Sequence, residues 1–214
     1  MHHGGEVAGL AMASTGPDRD GLQLDVLKVA LGPVLPGWPT GLVLRAELQG
    51  DVLTSAALAW LDADTLPAVH PPQDSRCAAL DRLAGFLDVA GWPTAARDAR
   101  RARDGLVGGA DREAAQRLAE AVARRVHRSR ALSWTAGSIG QVASQDGAGE
   151  NVLDRVRSWC DVAAGQSADG RTVASLDEVG GLLDGVEIGS ARLIVASLDL
   201  DPVVAASVAE HEHA

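Results

Sequence analysis

The sequence predicts an α+β protein in which a small N-terminal antiparallel sheet of three strands packs on a mainly helical remainder. Apolar and polar residues alternate between residues 22 and 60, which is typical of strands. From Ser75 onward the apolar residues recur every three or four positions, which is typical of amphipathic helices. With 214 residues, of which 46% are hydrophobic and 22% charged, the chain can bury a core without metal or disulfide staples.

Composition divides the chain into four segments. Residues 1–21 are rich in glycine and are expected to form a flexible leader, and residues 22–66 an antiparallel β subdomain. Residues 75–205 are expected to form a helical domain, and residues 206–214 a polar tail.

Each strand of the predicted sheet has its own apolar set and its own stop signal. The first strand starts at Leu22 and ends at Gly32-Pro33, and a turn at Gly50-Asp51 separates the second strand from the third, Val52–Trp60. The sets are Leu22, Leu24 and Val26 in the first strand, and Leu42, Leu44, Ala46 and Leu48 in the second, whose opposite face carries Arg45 and Glu47.

The helices are predicted from their capping residues and from apolar stripes, which are rows of apolar residues at helical spacing. Ser75 and Asp111 are candidate N-caps, Pro93 suits the first turn of a helix, and Ser175-x-x-Glu178 is a capping box. Residues 131–149 are expected to be loop-like, apart from a short apolar patch around Trp134 and Ile139, and Glu150–Ala164 is expected to be helical. The predicted stripes are Ala79, Leu80, Leu83 and Leu87; Ala115, Leu118, Ala119, Val122 and Val126; and Val152, Val156, Trp159, Cys160 and Ala163.

The charge is distributed unevenly. The net charge is −10, but residues 97–130 hold ten Arg against five acidic residues, a local charge of +5, which leaves −15 for the rest. This segment is expected to meet an acidic partner or the protein's own acidic face. The candidate partner-binding residues are Arg97, Arg100, Arg101, Arg117, Arg124 and Arg128, with favourable i,i+4 pairs from Glu113 to Arg117 and from Glu120 to Arg124.

An arginine-rich regulatory or nucleic-acid-binding module is an alternative interpretation of this segment. It is disfavoured because no aromatic residue for base stacking lies between residues 93 and 133, and because the rest of the chain repels phosphate.

Residue types alone predict no catalytic residue, no metal and no cofactor. Cys77 and Cys160 are far apart and belong to no C-x-x-C motif, so each is expected to be a buried apolar residue. No G-x-S-x-G motif or phosphate-binding glycine loop is present. His127 is expected to be a solvated residue of a basic helix, and the histidines of the termini to be mobile.

One stretch resembles a known family. Gly32-Pro33, the proline-containing loop to Gly41, the strand through Arg45 and the turn at Gly50-Asp51 resemble the N-terminal hairpin of the quinone-site large subunit of respiratory complex I, which is related to the large subunit of nickel–iron hydrogenases. Further segments are similar to this family in the same order: Ala79–Leu83, Trp92–Arg97 and Ile194–Asp199. Together they cover about half of the chain.

The departures from that family imply a truncated relative that has lost its reactive groups. Thr40 stands nearest to the position at which the quinone-reducing members carry a histidine, and the chain contains no Tyr to act as hydrogen-bond donor. The segment Asp199–Pro202 lacks the cysteine that hydrogenases have there, and thiolates are what a nickel–iron site requires.

The resemblance therefore implies a non-catalytic structural or docking subunit of a membrane-bound redox complex, with a small iron–sulfur subunit as a neighbour. An alternative is a quinone-interacting oxidoreductase subunit whose pocket is shared with a partner and includes Thr40, Arg45 and Asp51. The prolines within Val29–Leu44 exclude a spanning helix there, so direct membrane insertion is not expected. The expected location is the bacterial cytoplasm, at the inner face of the membrane through partner subunits.

Overall fold

A computed structural model of the chain describes residues 6–7, 10–11, 14–17, 20–61, 74–109, 111–143, 149–166, 175–198 and 200. The strands in this part of the chain are β1 (Glu6–Val7), β2 (Leu10–Ala11), β3 (Ser14–Pro17), β4 (Gln23–Leu31), β5 (Leu42–Gln49), β6 (Val52–Trp60), β7 (Val142–Ala143) and β8 (Gly149–Glu150). The helices are α1 (Ser75–Val89), α2 (Pro93–Gly108), α3 (Arg112–His127), α4 (Arg130–Ala136), α5 (Val152–Ala163), α6 (Leu176–Leu183) and α7 (Ile188–Ala196).

The main sheet is an antiparallel meander in the order β3-β4-β5-β6. The α+β class is confirmed, but the prediction of three strands was wrong, because Ser14–Pro17, in the segment expected to be a flexible leader, pairs with β4. A four-residue strand that contains Gly and Pro carries too little apolar alternation to be recognised from the sequence. β1 pairs with β2, and β7 with β8, as separate two-stranded ribbons.

One face of the sheet packs on the helices. The predicted inner set of β5 is confirmed, since Leu42, Leu44, Ala46 and Leu48 are all buried. In β4 the residues that pack against the core are Val29 and Leu31, which pair with Ala46 and Leu44. Leu24 and Val26, expected to form the apolar set of this strand, are half-buried on its other face, and Leu22 is exposed.

The loop between β4 and β5 is fixed by close backbone contacts. The Trp38 indole is buried and its Nε1 donates to the carbonyl oxygen of Leu42 at 3.0 Å. Gly32 has φ +103°, and a Cβ there would lie 2.1 Å from the same carbonyl oxygen. Gly37 has φ +68°, and a Cβ there would lie 2.3 Å from the carbonyl oxygen of Gly85 in α1. Glycine is therefore required at both positions, and the loop lies directly on α1.

The helices complete a core that is continuous with the sheet. α1 packs against α2, α5 and α7, α2 and α3 form an antiparallel pair, and α6 packs on β6. The Leu53 amide of β6 donates to Val186 O at 2.9 Å, and the Gly185 amide donates to Leu53 O at 2.7 Å. These bonds tie the α6–α7 connection to the start of the edge strand.

Three helix starts follow the predicted signals. α2 begins at Pro93, the Asp111 side chain caps α3, and Ser175 with Glu178 forms the expected capping box. Two starts differ by one or two residues. Asp74 rather than Ser75 caps α1, and α5 begins at Val152 because Asn151 forms a capping box with Asp154.

The prediction of a loop over residues 131–149 was wrong in its first part. Arg130–Ala136 is helical, with the Ser129 hydroxyl accepting from the Leu132 amide at 3.3 Å. Leu132 and Ala136 are its buried residues. The helix has seven residues, too few for a 3.6-residue period to stand out in the sequence.

The predicted polar tail, 206–214, lies outside the described residues, as do Asp199, Asp201 and all the histidines except His127. Within the described residues, every helix is too short or too polar to cross a lipid bilayer.

Candidate functional site

The α2–α3 pair carries the arginine-rich segment, and the protein's own acids neutralise much of it. Six of the ten arginines form ion pairs with acidic side chains. The pairs are Arg100 with Asp88, Arg103 with Asp81 and Asp104, Arg112 with Asp74 at 3.8 Å, Arg117 with Glu113 at 3.6 Å, Arg124 with Glu120 at 3.7 Å, and Arg125 with Asp98 at 2.8 Å.

Both predicted i,i+4 pairs, Glu113 with Arg117 and Glu120 with Arg124, are therefore present. Arg100, also expected to face a partner, instead joins α2 to α1 through Asp88. The hydrogen bond to Asp104 raises the pKa of Arg103 above its ordinary value. For these arginines the acidic face that the basic segment meets is the protein's own.

Four arginines of this segment are exposed and form no ion pair with any described residue. One of them, Arg130, contacts an aromatic ring, and the other three, Arg97, Arg101 and Arg128, are here called the arginine surface. Arg125 at the end of α3 pairs with Asp98 in the first turns of α2 and lies over the Trp92 ring at 5.4 Å. Because this contact places the start of α2 beside the end of α3, Arg97 and Arg128 lie at the same end of the helix pair. Arg101 follows Arg97 by one helical turn.

The tenth arginine, Arg130, lies over the ring of Trp134, with its Cζ 5.9 Å from the ring centroid. Trp134 is 79% exposed, whereas Leu132 and Ala136 of the same helix are buried. The sequence reasoning missed both residues as surface features because it missed α4. Ser129 as N-cap and Gly137 just after the last turn were the available signal, and they place Arg130 and Trp134 at i and i+4.

The proposed remnant of a quinone pocket is spread along one strand. Thr40 precedes β5, Arg45 lies in its middle, and Asp51 lies in the turn after it. All three residues are exposed, and the two ends of this eight-residue strand are about 23 Å apart. The structure therefore does not bring the three side chains together.

Arg45 lines a shallow groove of about 430 Å³ on the outer face of the sheet. Its neighbours there include Lys28 and Glu47, a cross-strand ion pair with Nζ and Oε1 3.6 Å apart, and Ser55. The groove is open to solvent and its two charged neighbours neutralise each other.

A second cleft, of about 410 Å³, lies between α3 and the end of α5. His127 Nε2 is 3.0 Å from Asp161 Oδ1 at this cleft, so His127 is not simply solvated as the sequence suggested. Glu120 and Arg124 also line it, and they already pair with each other. The four ionisable side chains of this cleft thus already pair with one another.

Arg155 is the one buried cationic side chain among the described residues, with 5% of its surface exposed. Its Nη1 donates to the carbonyl oxygens of Gly140 at 3.0 Å and Glu150 at 2.8 Å. Its Nε and Nη2 donate to Ser197 Oγ at 3.1 and 2.9 Å, and this hydroxyl donates to Ile194 O at 2.7 Å. Burial lowers the pKa of Arg155 to about 10. These bonds join α5 to α7 and to the β7–β8 region.

The cysteines behave as the sequence predicts. Cys160 is fully buried, and burial raises the pKa of its thiol to about 12. Burial also raises the pKa of Cys77, which is 3% exposed. Because the thiolate is the nucleophilic form, both groups are unreactive at neutral pH.

No three His, Cys, Asp or Glu side chains among the described residues are close enough together to hold a metal ion. The arginine surface is thus an exposed feature whose charges no described acidic residue neutralises, and Arg130 and Trp134 follow it in the chain. Comparisons of the chain with protein-family models, with curated proteins and with solved structures find no match.

Proposed function

We propose that this protein is a non-catalytic docking subunit of a membrane-bound redox complex of the complex I or hydrogenase type. One observation carries the docking role. The α2–α3 pair neutralises six of its arginines internally and leaves Arg97, Arg101 and Arg128 exposed and without an acidic partner among the described residues. A chain with a net charge of −10 that keeps such a patch is suited to an acidic neighbour, because complementary charges guide association and set its orientation.

The type of complex is supported by the resemblance of the N-terminal hairpin. The residues that carry it have packing roles: Gly32 and Gly37 permit close backbone contacts, and Trp38 bonds back to Leu42. The loop could therefore persist for structural reasons after its chemistry was lost. Thr40, Arg45 and Asp51, in contrast, do not converge on one pocket, which favours docking over quinone chemistry.

The test is co-purification from cells that carry the gene in its natural place. A tagged chain is isolated from detergent-solubilised membranes, and its companions are quantified by mass spectrometry. We expect stoichiometric recovery of an iron–sulfur subunit and of subunits with several membrane spans. Recovery should fall with rising salt, because salt screens exposed charges.

Charge reversal identifies the surface. The triple variant Arg97→Glu, Arg101→Glu and Arg128→Glu should recover roughly tenfold less of the same subunits, in line with the importance of interfacial charge for association. Arg192→Glu is the matched control, because Arg192 is exposed on α7 and has no ion pair with a described residue. Isolation of the wild-type chain alone would refute the docking role, and equal recovery by the triple variant would refute this surface.

A further inference from the structure

Trp134 is the exposed exception among the five tryptophans. Trp38 and Trp159 are 7% and 9% exposed, and Trp60 and Trp92 are half-buried, whereas Trp134 is 79% exposed. A tryptophan ring left in water gains nothing for the fold, and tryptophan is the residue type most enriched among the energetically dominant residues of protein interfaces.

The short helix α4 presents this ring from a fixed base. Leu132 and Ala136 are buried in the core, so the helix cannot rotate without losing those contacts. The Ser129 cap fixes its start, and the Arg130 guanidinium lies over the indole at 5.9 Å. The ring is thus held outward in one place, which lowers the entropic cost of burying it against a partner.

The charges around the ring define what can cover it. Arg128 and Arg130 are both exposed, and they flank the Ser129 cap within one to two turns of Trp134. An occupant must therefore offer carboxylates to two guanidinium groups and an apolar side chain to the ring. A single-stranded nucleic acid fits less well, because one ring stacks one base and the remainder of the chain, at −15 outside residues 97–130, repels phosphates.

We propose that Trp134 is the anchor of the docking site, buried by an acidic segment of a partner protein whose carboxylates pair with Arg128 and Arg130 and whose apolar side chain packs on the indole. The inference rests on the proposed docking function and adds the chemistry of the partner segment. It also predicts that the interface extends from the arginine surface onto α4.

The experiment compares oxidation of Trp134 by hydroxyl radicals in the isolated chain and in the complex purified from membranes, with mass spectrometry locating the modified residue. We expect at least a fivefold lower oxidation rate of Trp134 in the complex. Val107 provides the control, because it is 75% exposed and lies at the C-terminal end of α2, away from Arg97 near the start of that helix. It should be oxidised at the same rate in the isolated chain and in the complex.

Variants supply the second readout. Trp134→Ala should recover about tenfold less of the partner subunits, Trp134→Phe should retain part of the recovery, and Val107→Ala should match the wild type. The circular dichroism of each isolated variant should equal that of the wild type, since both side chains project into solvent.

The possible results separate the two proposals. If the complex forms but Trp134 is oxidised at the same rate in it as in the isolated chain, the proposal that Trp134 is the anchor is refuted. Unchanged recovery of partner subunits by Trp134→Ala would refute it as well, and in both cases the docking function would still hold. A chain that purifies alone overturns both. Binding of a twelve-nucleotide oligo-dT by the isolated chain, lost in Trp134→Ala and in high salt, would overturn the acidic protein segment in favour of nucleic acid.

Discussion

Arg155 and the arginine surface place the same side chain in opposite environments. Arg155 is 5% exposed and its donors are satisfied by two carbonyl oxygens and the Ser197 hydroxyl, so it joins α5, α7 and the β7–β8 region. Arg97, Arg101 and Arg128 are exposed and make no ion pair with a described residue. The comparison teaches that a high local density of arginine does not mark the arginine that is buried among the described residues. That residue lies on α5, whose sequence pattern is that of an ordinary amphipathic helix, whereas the dense segment holds arginines paired between helices, such as Arg100 with Asp88, and arginines left exposed.

The largest effect is expected for Arg155→Met. This change keeps an unbranched side chain of similar length but leaves the Gly140 and Glu150 carbonyls and the Ser197 hydroxyl without their donor. Since each unsatisfied buried group costs ~1–3 kcal/mol, we expect the free energy of unfolding to fall by about 3 kcal/mol or more. Denaturant titration followed by far-ultraviolet circular dichroism measures it.

Arg192→Met, at an exposed site, is the control for the loss of charge and should change stability by no more than about 0.5 kcal/mol. Ser197→Ala removes the hydroxyl that two donors of Arg155 share and should cost ~1–2 kcal/mol. If Arg155→Met leaves the free energy of unfolding unchanged, an apolar side chain stabilises the fold as well as the buried guanidinium does. The contrast between Arg155 and the arginine surface would then not hold.

A pH titration tests a second buried group of α5, the thiol of Cys160. The pKa of the Cys160 thiol is about 12 in the folded chain against an ordinary 9.0, so above pH 9 the unfolded chain loses a proton that the folded chain keeps. Stability is therefore complete below pH 9 and declines as the pH rises further. Between pH 8 and 10 the decline should be ~1 kcal/mol from Cys160, with a further contribution of the same sign from Cys77.

Few other groups obscure this window, because the chain has no Tyr and a single Lys. Arg155 acts in the opposite direction above about pH 10, where the folded chain begins to release its proton first. Cys160→Ala should flatten the decline of unfolding free energy between pH 8 and 10 by more than half. An unchanged slope in this variant would show that the thiol is not the titrating group.

The smallest effect is expected at the arginine surface. The double variant Arg97→Ala and Arg101→Ala should alter the free energy of unfolding by no more than about 0.5 kcal/mol, because neither guanidinium pairs with a described residue. Arg125→Ala is the matched comparison on the same helix pair, since it loses the 2.8 Å pair with Asp98 and the contact with Trp92. A large loss of stability in the double variant would show that Arg97 and Arg101 stabilise the fold, as Arg155 does, and are not kept for an interface.

Much of the fold could be predicted because its signals are local. The alternation in β5 and the capping residues Asp111 and Ser175 each act within a few neighbours, and the structure has them as expected. The fourth strand could not be predicted, because four residues with Gly and Pro gain their order from pairing with β4. Helix α4 was only partly predictable from the sequence. Its capping serine and the glycine after its last turn are local signals, but seven residues are too few to show helical periodicity.

The candidate site was predicted only as a segment. Counting charges located the ten arginines of residues 97–130, but the acids that neutralise Arg100, Arg103 and Arg125 stand up to 27 positions away in the chain. Which arginines stay free thus depends on how α1, α2 and α3 pack. Trp134 was assigned to an apolar patch, and only its position on α4 shows that the ring faces solvent.

By itself the sequence determined the α+β class, the face of β5 that is buried, the caps of α3 and α6 and the two i,i+4 pairs of α3, because each depends on residues close together in the chain. The tertiary structure decided the fourth strand, the burial of Arg155, and the division of the arginines into paired and exposed ones. The fourth strand depends on pairing with β4, and the other two outcomes depend on side chains that are distant in sequence and meet only after the helices pack.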